Sequence, residues 1–155
     1  MSEPTPVDPP LPRTWYARRS RLITGVLGAI ILVGLCVLAV MLPEKGGWGF
    51  GSRMGVAATG VLGLGAMVML GRPKVVAAAD GVTVVNLLRT THLEWAQIVR
   101  VYLRQGDPWV YIDMSNGDTL PVMGIQTSNG KSAAITAARE LRTLVDHYGT
   151  APEAR

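Results

Sequence analysis

Two uncharged apolar stretches lie back to back in the first half of this chain. Leu22 to Leu42 runs 21 residues without a charge, and Met54 to Gly71 runs 18 between Arg53 and Arg72. A bilayer core takes about 20 apolar residues of helix to cross. The pattern predicts a transmembrane hairpin over residues 22–71, with spans 22–42 and 54–71 and a loop 43–53, followed by one small domain.

Other readings of these stretches fit less well. Arg18-Arg19-Ser20-Arg21-Leu22 has the look of a twin-arginine export signal. The apolar part of such a signal is shorter and ends at a small-x-small cleavage site. This run ends Val40-Met41-Leu42-Pro43, and a second span follows at once. A buried soluble helix over the second stretch is disfavoured by Gly55, Gly60, Gly63, Gly65 and Gly71, with Gly51 just before. Glycine weakens soluble helices but is common in membrane helices. The sole cysteine, Cys36, lies in the first stretch behind Leu35, where a lipoprotein site needs a small residue, so it reads as apolar filler.

Charge orients the hairpin. Residues 1–21 read as a disordered, Pro-rich basic tail, with five prolines before Arg13. Arg13, Arg18, Arg19 and Arg21 precede the first span, and Arg72 and Lys74 follow the second, whereas the loop carries Lys45 and Arg53 with Glu44 offsetting one. Basic flanks stay inside. The expectation is a multi-pass protein of the inner (cytoplasmic) membrane, in contact with lipid through the hairpin, with both termini cytoplasmic. Its interface anchors are Trp15, Tyr16, Arg18, Arg19, Arg21, Trp48, Arg53 and Arg72, with Phe50 dipping in beside Trp48. Small residues at four-residue spacing (Gly25 with Ala29; Gly55, Thr59 and Gly63) suit close helix packing, first of all of the two spans on each other.

The formal charge of +4 is concentrated beside the spans. From Arg72 onward nine basic residues meet eight acidic ones, so the domain is nearly neutral. A nucleic-acid binder concentrates positive charge on the domain itself, and no nucleic-acid partner is expected.

Beyond Arg72 short alternating segments are separated by turn signals. Val75–Ala79 precedes Asp80-Gly81, a hairpin pair. Val82–Leu88 is rich in β-formers, Arg89-Thr90-Thr91 reads as a turn, and His92-Leu93-Glu94 opens another strand. Trp95-Ala96-Gln97 suits a helical turn. Ile98–Leu103 puts Val99, Val101 and Leu103 on one face, with Arg100, Tyr102 and Arg104 on the other. Trp109–Met114 and Thr119–Met123 flank Asn116-Gly117, and Pro121 suggests an edge or an irregularity. Ala134, Ala138, Leu141, Val145 and Tyr148 then fall on one helix face, stopped by Gly149. The domain thus spans residues 72–149, with 150–155 a disordered tail.

Arg72-Pro73-Lys74-Val75-Val76, Asp80-Gly81-Val82-Thr83-Val84, Trp95-Ala96-Gln97-Ile98 and Gly106-Asp107-Pro108-Trp109-Val110, in that order and spacing, resemble the bacterial PH-like domains of actinobacterial two-span membrane proteins. That family is typified by a mycobacterial low-molecular-weight protein antigen. The resemblance covers Arg72 to about Gly149 and the preceding hairpin. It implies a two-helix transmembrane hairpin followed by a mainly-β PH-like domain: a bent antiparallel sheet, or partly open barrel, of about seven strands capped by a C-terminal α-helix. It implies no established activity.

No chemistry stands out. His92 and His147 are far apart and lack His/Cys partners at ligand spacing, so no metal site is expected, and no cofactor. No nucleophile–base pairing appears, so no catalytic residue is assigned and the chain reads as a non-enzyme. The first hairpin carries an acid at its tip and a base only at Lys74, so no phosphoinositide site is evident. The remaining candidate is a face of Arg100, Tyr102, Arg104, Trp109 and Tyr111, with the composition of an interface. Alternation alone also produces such a face. The expectation is a membrane-anchored scaffold or regulatory module that binds a protein partner or itself. A lipid- or small-anion-sensing module is the alternative, and a membrane enzyme the remote third.

Overall fold

The computed structural model describes residues 11–43 and 46–149. Residues 1–10 and 150–155, expected as disordered tail, and loop residues Glu44 and Lys45 lie outside the described residues. The chain divides into two compact units: residues 17–72, and residues 1–16 together with 73–155.

The first unit is a pair of helices, α1 (Arg18–Met41) and α2 (Phe50–Leu70). Both are longer than the uncharged runs. Arg18, Arg19 and Arg21 lie in the opening turn of α1, and Phe50 and Arg53 in that of α2. The second helix opens early because Gly49 is extended at its N-cap and its carbonyl accepts from Arg53 N at 3.2 Å. The Arg53 guanidinium donates to the Leu42 carbonyl at 2.6 Å. It thereby closes the end of α1, where carbonyls lack intrahelical partners. Both helices are long and apolar enough to cross a membrane. Only 11% and 6% of their most apolar windows are buried. A core helix of a soluble protein would hide such residues; here Leu22, Val40, Phe50 and Leu62 stand exposed.

Glycine sets how closely the helices approach. A Cβ on Gly28 would sit 2.9 Å from Met67 Cβ, and one on Gly60 3.3 Å from Leu32 Cα. Gly63 faces Ile31. Of the small residues expected to pack, Gly63 does so; Gly25 and Gly55 face open space within the pair.

The second unit is built of seven antiparallel strands and one helix. Its first strand, β1 (Arg13–Tyr16), lies where the sequence suggests a disordered tail. It pairs with β2 (Lys74–Ala78), Trp15 opposite Val75. Then follow β3 (Gly81–Val85) and β4 (Thr90–Leu93), completing a sheet ordered β1-β2-β3-β4. After a 3-10 turn at Trp95–Gln97, β5 (Ile98–Tyr102), β6 (Trp109–Met114) and β7 (Thr119–Gln126) form the second sheet in that order. Helix α3 (Lys131–Tyr148) closes the unit.

Alternation explains the core. Val75, Ala77, Val82, Val84, Val110, Ile112 and Val122 are fully buried, and α3 adds Ala134, Leu141, Leu144 and Val145. Leu144 joins the helix stripe expected from the sequence. Gly124 on β7 meets the backbone of β2, where a Cβ would lie 2.7 Å from Lys74 Cα. Only glycine lets the two sheets come this close.

Three local readings are corrected. The strand after the first hairpin ends at Val85 rather than Leu88, and the turn is 86–89 rather than 89–91. Asn86 leaves the strand because its side chain pairs with the backbone of β7: Nδ2 donates to Pro121 O at 2.7 Å, and Oδ1 accepts from Met123 N at 3.1 Å. The first hairpin turns at Ala79-Asp80, one residue earlier than Asp80-Gly81; Gly81, at φ 145°, opens β3. Its missing Cβ makes room for the Leu93 carbonyl. Val99 does not face inward. A bulge between Ile98 and Arg100 shifts the register, so Ile98 and Val101 are buried while Val99 is 66% exposed. Pro121 does lie on an edge strand, β7.

Candidate interaction site

The expected face forms on β5 and β6, though not with every residue assigned to it. Tyr102 and Tyr111 are register partners across the two strands, and their rings stack at 5.8 Å between centroids. The guanidinium carbons of Arg100 and Arg104 lie 5.3 and 4.8 Å from the centre of the Tyr102 ring. Cation–π contact holds both charges near the tyrosine. The turn after β5 is fixed by Asp107, whose carboxylate accepts from Arg104 N at 3.0 Å. Arg100, Tyr102, Arg104 and Tyr111 therefore form one cluster. Trp109 starts β6 with its indole N–H buried and no acceptor within reach among the described residues. It makes no ring contact with the tyrosines.

Two residues that were not expected complete the surroundings. Arg139 and Arg142 on α3 line, with Arg100 and Arg104, a groove of about 310 Å³ between that helix and β5. Their signal is present in the sequence. Ile135, Ala138, Arg139 and Arg142 follow a helical stripe beside the buried one, and the apolar count alone passes over it.

Trp15, expected at headgroup depth, is a core residue only 9% exposed. It alternates inward on β1, and its Nε1 donates to Glu140 Oε2 of α3 at 3.1 Å. Arg13 donates to both oxygens of the same carboxylate, at 3.2 and 3.0 Å. Tyr16, next to it, is exposed. His92 lies on β4, where its Nδ1 is 3.0 Å from Thr83 Oγ1, and its Nε2 is 3.9 Å from Asp80 at the first hairpin tip. Among the described residues no three His, Cys, Asp or Glu side chains group as metal ligands.

Comparison with known proteins places this architecture. Residues 72–144 match the model of a bacterial PH domain. The segment is similar to a bacterial PH domain and has a PH-like fold. Uncharacterized proteins of Mycobacterium tuberculosis and Mycobacterium bovis are 33% identical to this chain over 94 residues, covering 59% of it and 60% of each relative. No solved structure matches the chain. The matched segment begins at Arg72, whereas β1 precedes the helix pair in the sequence and lies outside the match.

Proposed function

We propose that this protein is a membrane-anchored PH module, a scaffold or regulatory subunit that binds a protein partner at the cytoplasmic membrane surface. The observation that carries this reading is the cluster on β5 and β6, two stacked tyrosines flanked by two arginines. Tyrosine and arginine dominate the energetic centres of protein interfaces. The hydroxyl–imidazole contact between Thr83 and His92 is exposed on the first sheet, away from the cluster on β5 and β6, and a binding role is preferred here to an enzymatic one.

The membrane part of the proposal rests on the exposed apolar helices and their basic flank. Arg18, Arg19 and Arg21 open α1, and Arg72 follows α2, which favours the ends of the hairpin facing the cytoplasm. One residue lies between β1 and α1 and three between α2 and β2, so the PH module has two short covalent joins to the helix pair.

Protease treatment of inside-out vesicles should remove the PH module, and right-side-out vesicles should protect it; the reverse result overturns the orientation. A photo-crosslinking side chain in place of Tyr111 should give a discrete protein adduct in native membranes. The adduct should disappear when Arg100 and Arg104 are both replaced by alanine. Labelling of lipid alone would instead favour the lipid-sensing alternative.

A further inference from the structure

We propose that the groove between β5 and α3 binds an acidic peptide segment, laid down in extended form along the free edge of β5. The proposal deepens the reading of the module as a protein-binding one, and rests on it.

The edge comes first. β5 is the outer strand of its sheet and pairs only with β6. Among the described residues no hydrogen bond from another element reaches the outer edge of Ile98–Tyr102. Such an edge can take an added strand through main-chain hydrogen bonds, with neighbouring pockets reading alternate side chains. Leu103, Ile135 and Ala138 supply an apolar lining for those side chains.

Charge then selects the occupant. Arg100, Arg104, Arg139 and Arg142 all border the groove, and none forms an ion pair among the described residues. The cross-strand neighbour of Arg100 is Asp113, which accepts from Thr119 Oγ1 at 2.8 Å. Glu140, next to Arg139 in sequence, is engaged by Arg13 and Trp15. The near-neutral count for the whole domain conceals this local excess. A second copy of the chain is a poor occupant, because pairing two β5 edges brings like charges together. A headgroup would use the guanidiniums but leave the free edge and the apolar lining unused. An acidic strand uses all three.

The test uses the full chain in neutral detergent micelles and fluorescein-labelled peptides of about eight residues, a usual strand length. The probes are an alternating Glu–Val peptide, its Lys–Val counterpart, and a Glu–Val peptide N-methylated at alternate residues. Anisotropy should show binding of the first only, weakening as salt rises. Arg139→Glu/Arg142→Glu, on the exposed face of α3, should reduce affinity about tenfold or more while the circular dichroism spectrum stays unchanged. Arg139→Gln/Arg142→Gln should give a smaller loss. Equal binding of the N-methylated peptide overturns strand addition. Binding of short-chain phosphatidylserine without binding of peptide assigns the groove to lipid and overturns the proposal. A Tyr111 photo-adduct that persists in the double-Glu variant overturns the groove while leaving the protein-binding reading intact. Absence of the Tyr111 adduct together with absence of peptide binding, in proteins whose four arginines are intact, overturns the two together.

Discussion

Trp15 and Glu140 meet across 125 positions of the sequence, the indole Nε1 donating to the carboxylate at 3.1 Å. The bond ties the strand that precedes the first helix to the helix that ends the PH unit. Arg13 adds two charge-assisted contacts to the same carboxylate, which is partly exposed and therefore partly screened. Glu140→Ala should destabilise the PH unit by about 1–2 kcal/mol. Trp15→Ala also empties a core position and should cost about 3 kcal/mol or more. Denaturant unfolding in micelles, followed by near-ultraviolet circular dichroism, measures both. Equal stability of Trp15→Ala and wild type would show that β1 adds nothing.

The family match begins at Arg72, yet the sheet begins at Arg13. A fragment of residues 73–149 lacks β1 and leaves the edge of β2 uncovered. It should melt at a lower temperature, or less cooperatively, than the same fragment with residues 11–16 rejoined through a Gly/Ser linker. If both melt alike, the seventh strand is dispensable.

How far the sequence disclosed this architecture depends on the range of the interactions involved. Apolar length identified both helices, and alternation with turn chemistry placed β2 to β7 and α3, because these signals are local. β1 was illegible: Arg-Thr-Trp-Tyr is too short to show periodicity and sits beside prolines and arginines. Only the distant Glu140 and Val75 give it a place. The β5 bulge and the early exit of Asn86 likewise depend on partners in other strands. At the candidate site, alternation found Arg100, Tyr102, Arg104 and Tyr111. The arginines of α3 lie beside the apolar stripe, and apolar periodicity marks only the buried face of that helix.

Asn86 and Gly124 join the two sheets from opposite sides of the same problem. Asn86→Ala removes two hydrogen bonds to β7 and strands the Met123 amide, and should cost about 2 kcal/mol. Gly124→Ala drives a Cβ into the Lys74 backbone and should cost about 1–3 kcal/mol. Thermal melts of the two variants should both fall below wild type. A wild-type melt for Gly124→Ala would mean that the strands slide apart without penalty.

The glycines of the helix pair divide into two sets with opposite expectations. Gly28→Ile and Gly60→Ile should separate α1 from α2, since each added side chain meets the facing helix. Gly25→Ile and Gly65→Ile point into open space and should leave the pair intact. Migration in detergent gels, where a compact helical hairpin runs ahead of an opened one, tells them apart. Identical mobility of all four would contradict the packing.

Trp109 is better tested by phenylalanine than by alanine. Replacement by alanine removes a large ring from the start of β6, so a lost interaction could follow from misfolding alone. Its indole N–H is buried without an acceptor among the described residues. Such a donor carries a desolvation cost of about 1–3 kcal/mol. Phenylalanine keeps most of the ring and removes the donor, so the loss of apolar area and the relief of desolvation oppose each other. Trp109→Phe should therefore unfold within about 1 kcal/mol of wild type. It should also retain any adduct formed at Tyr111, because the stacked tyrosines and their arginines do not depend on it. A large destabilisation would reveal that the N–H has a partner after all. Stable folding with a lost adduct would return Trp109 to the interaction face.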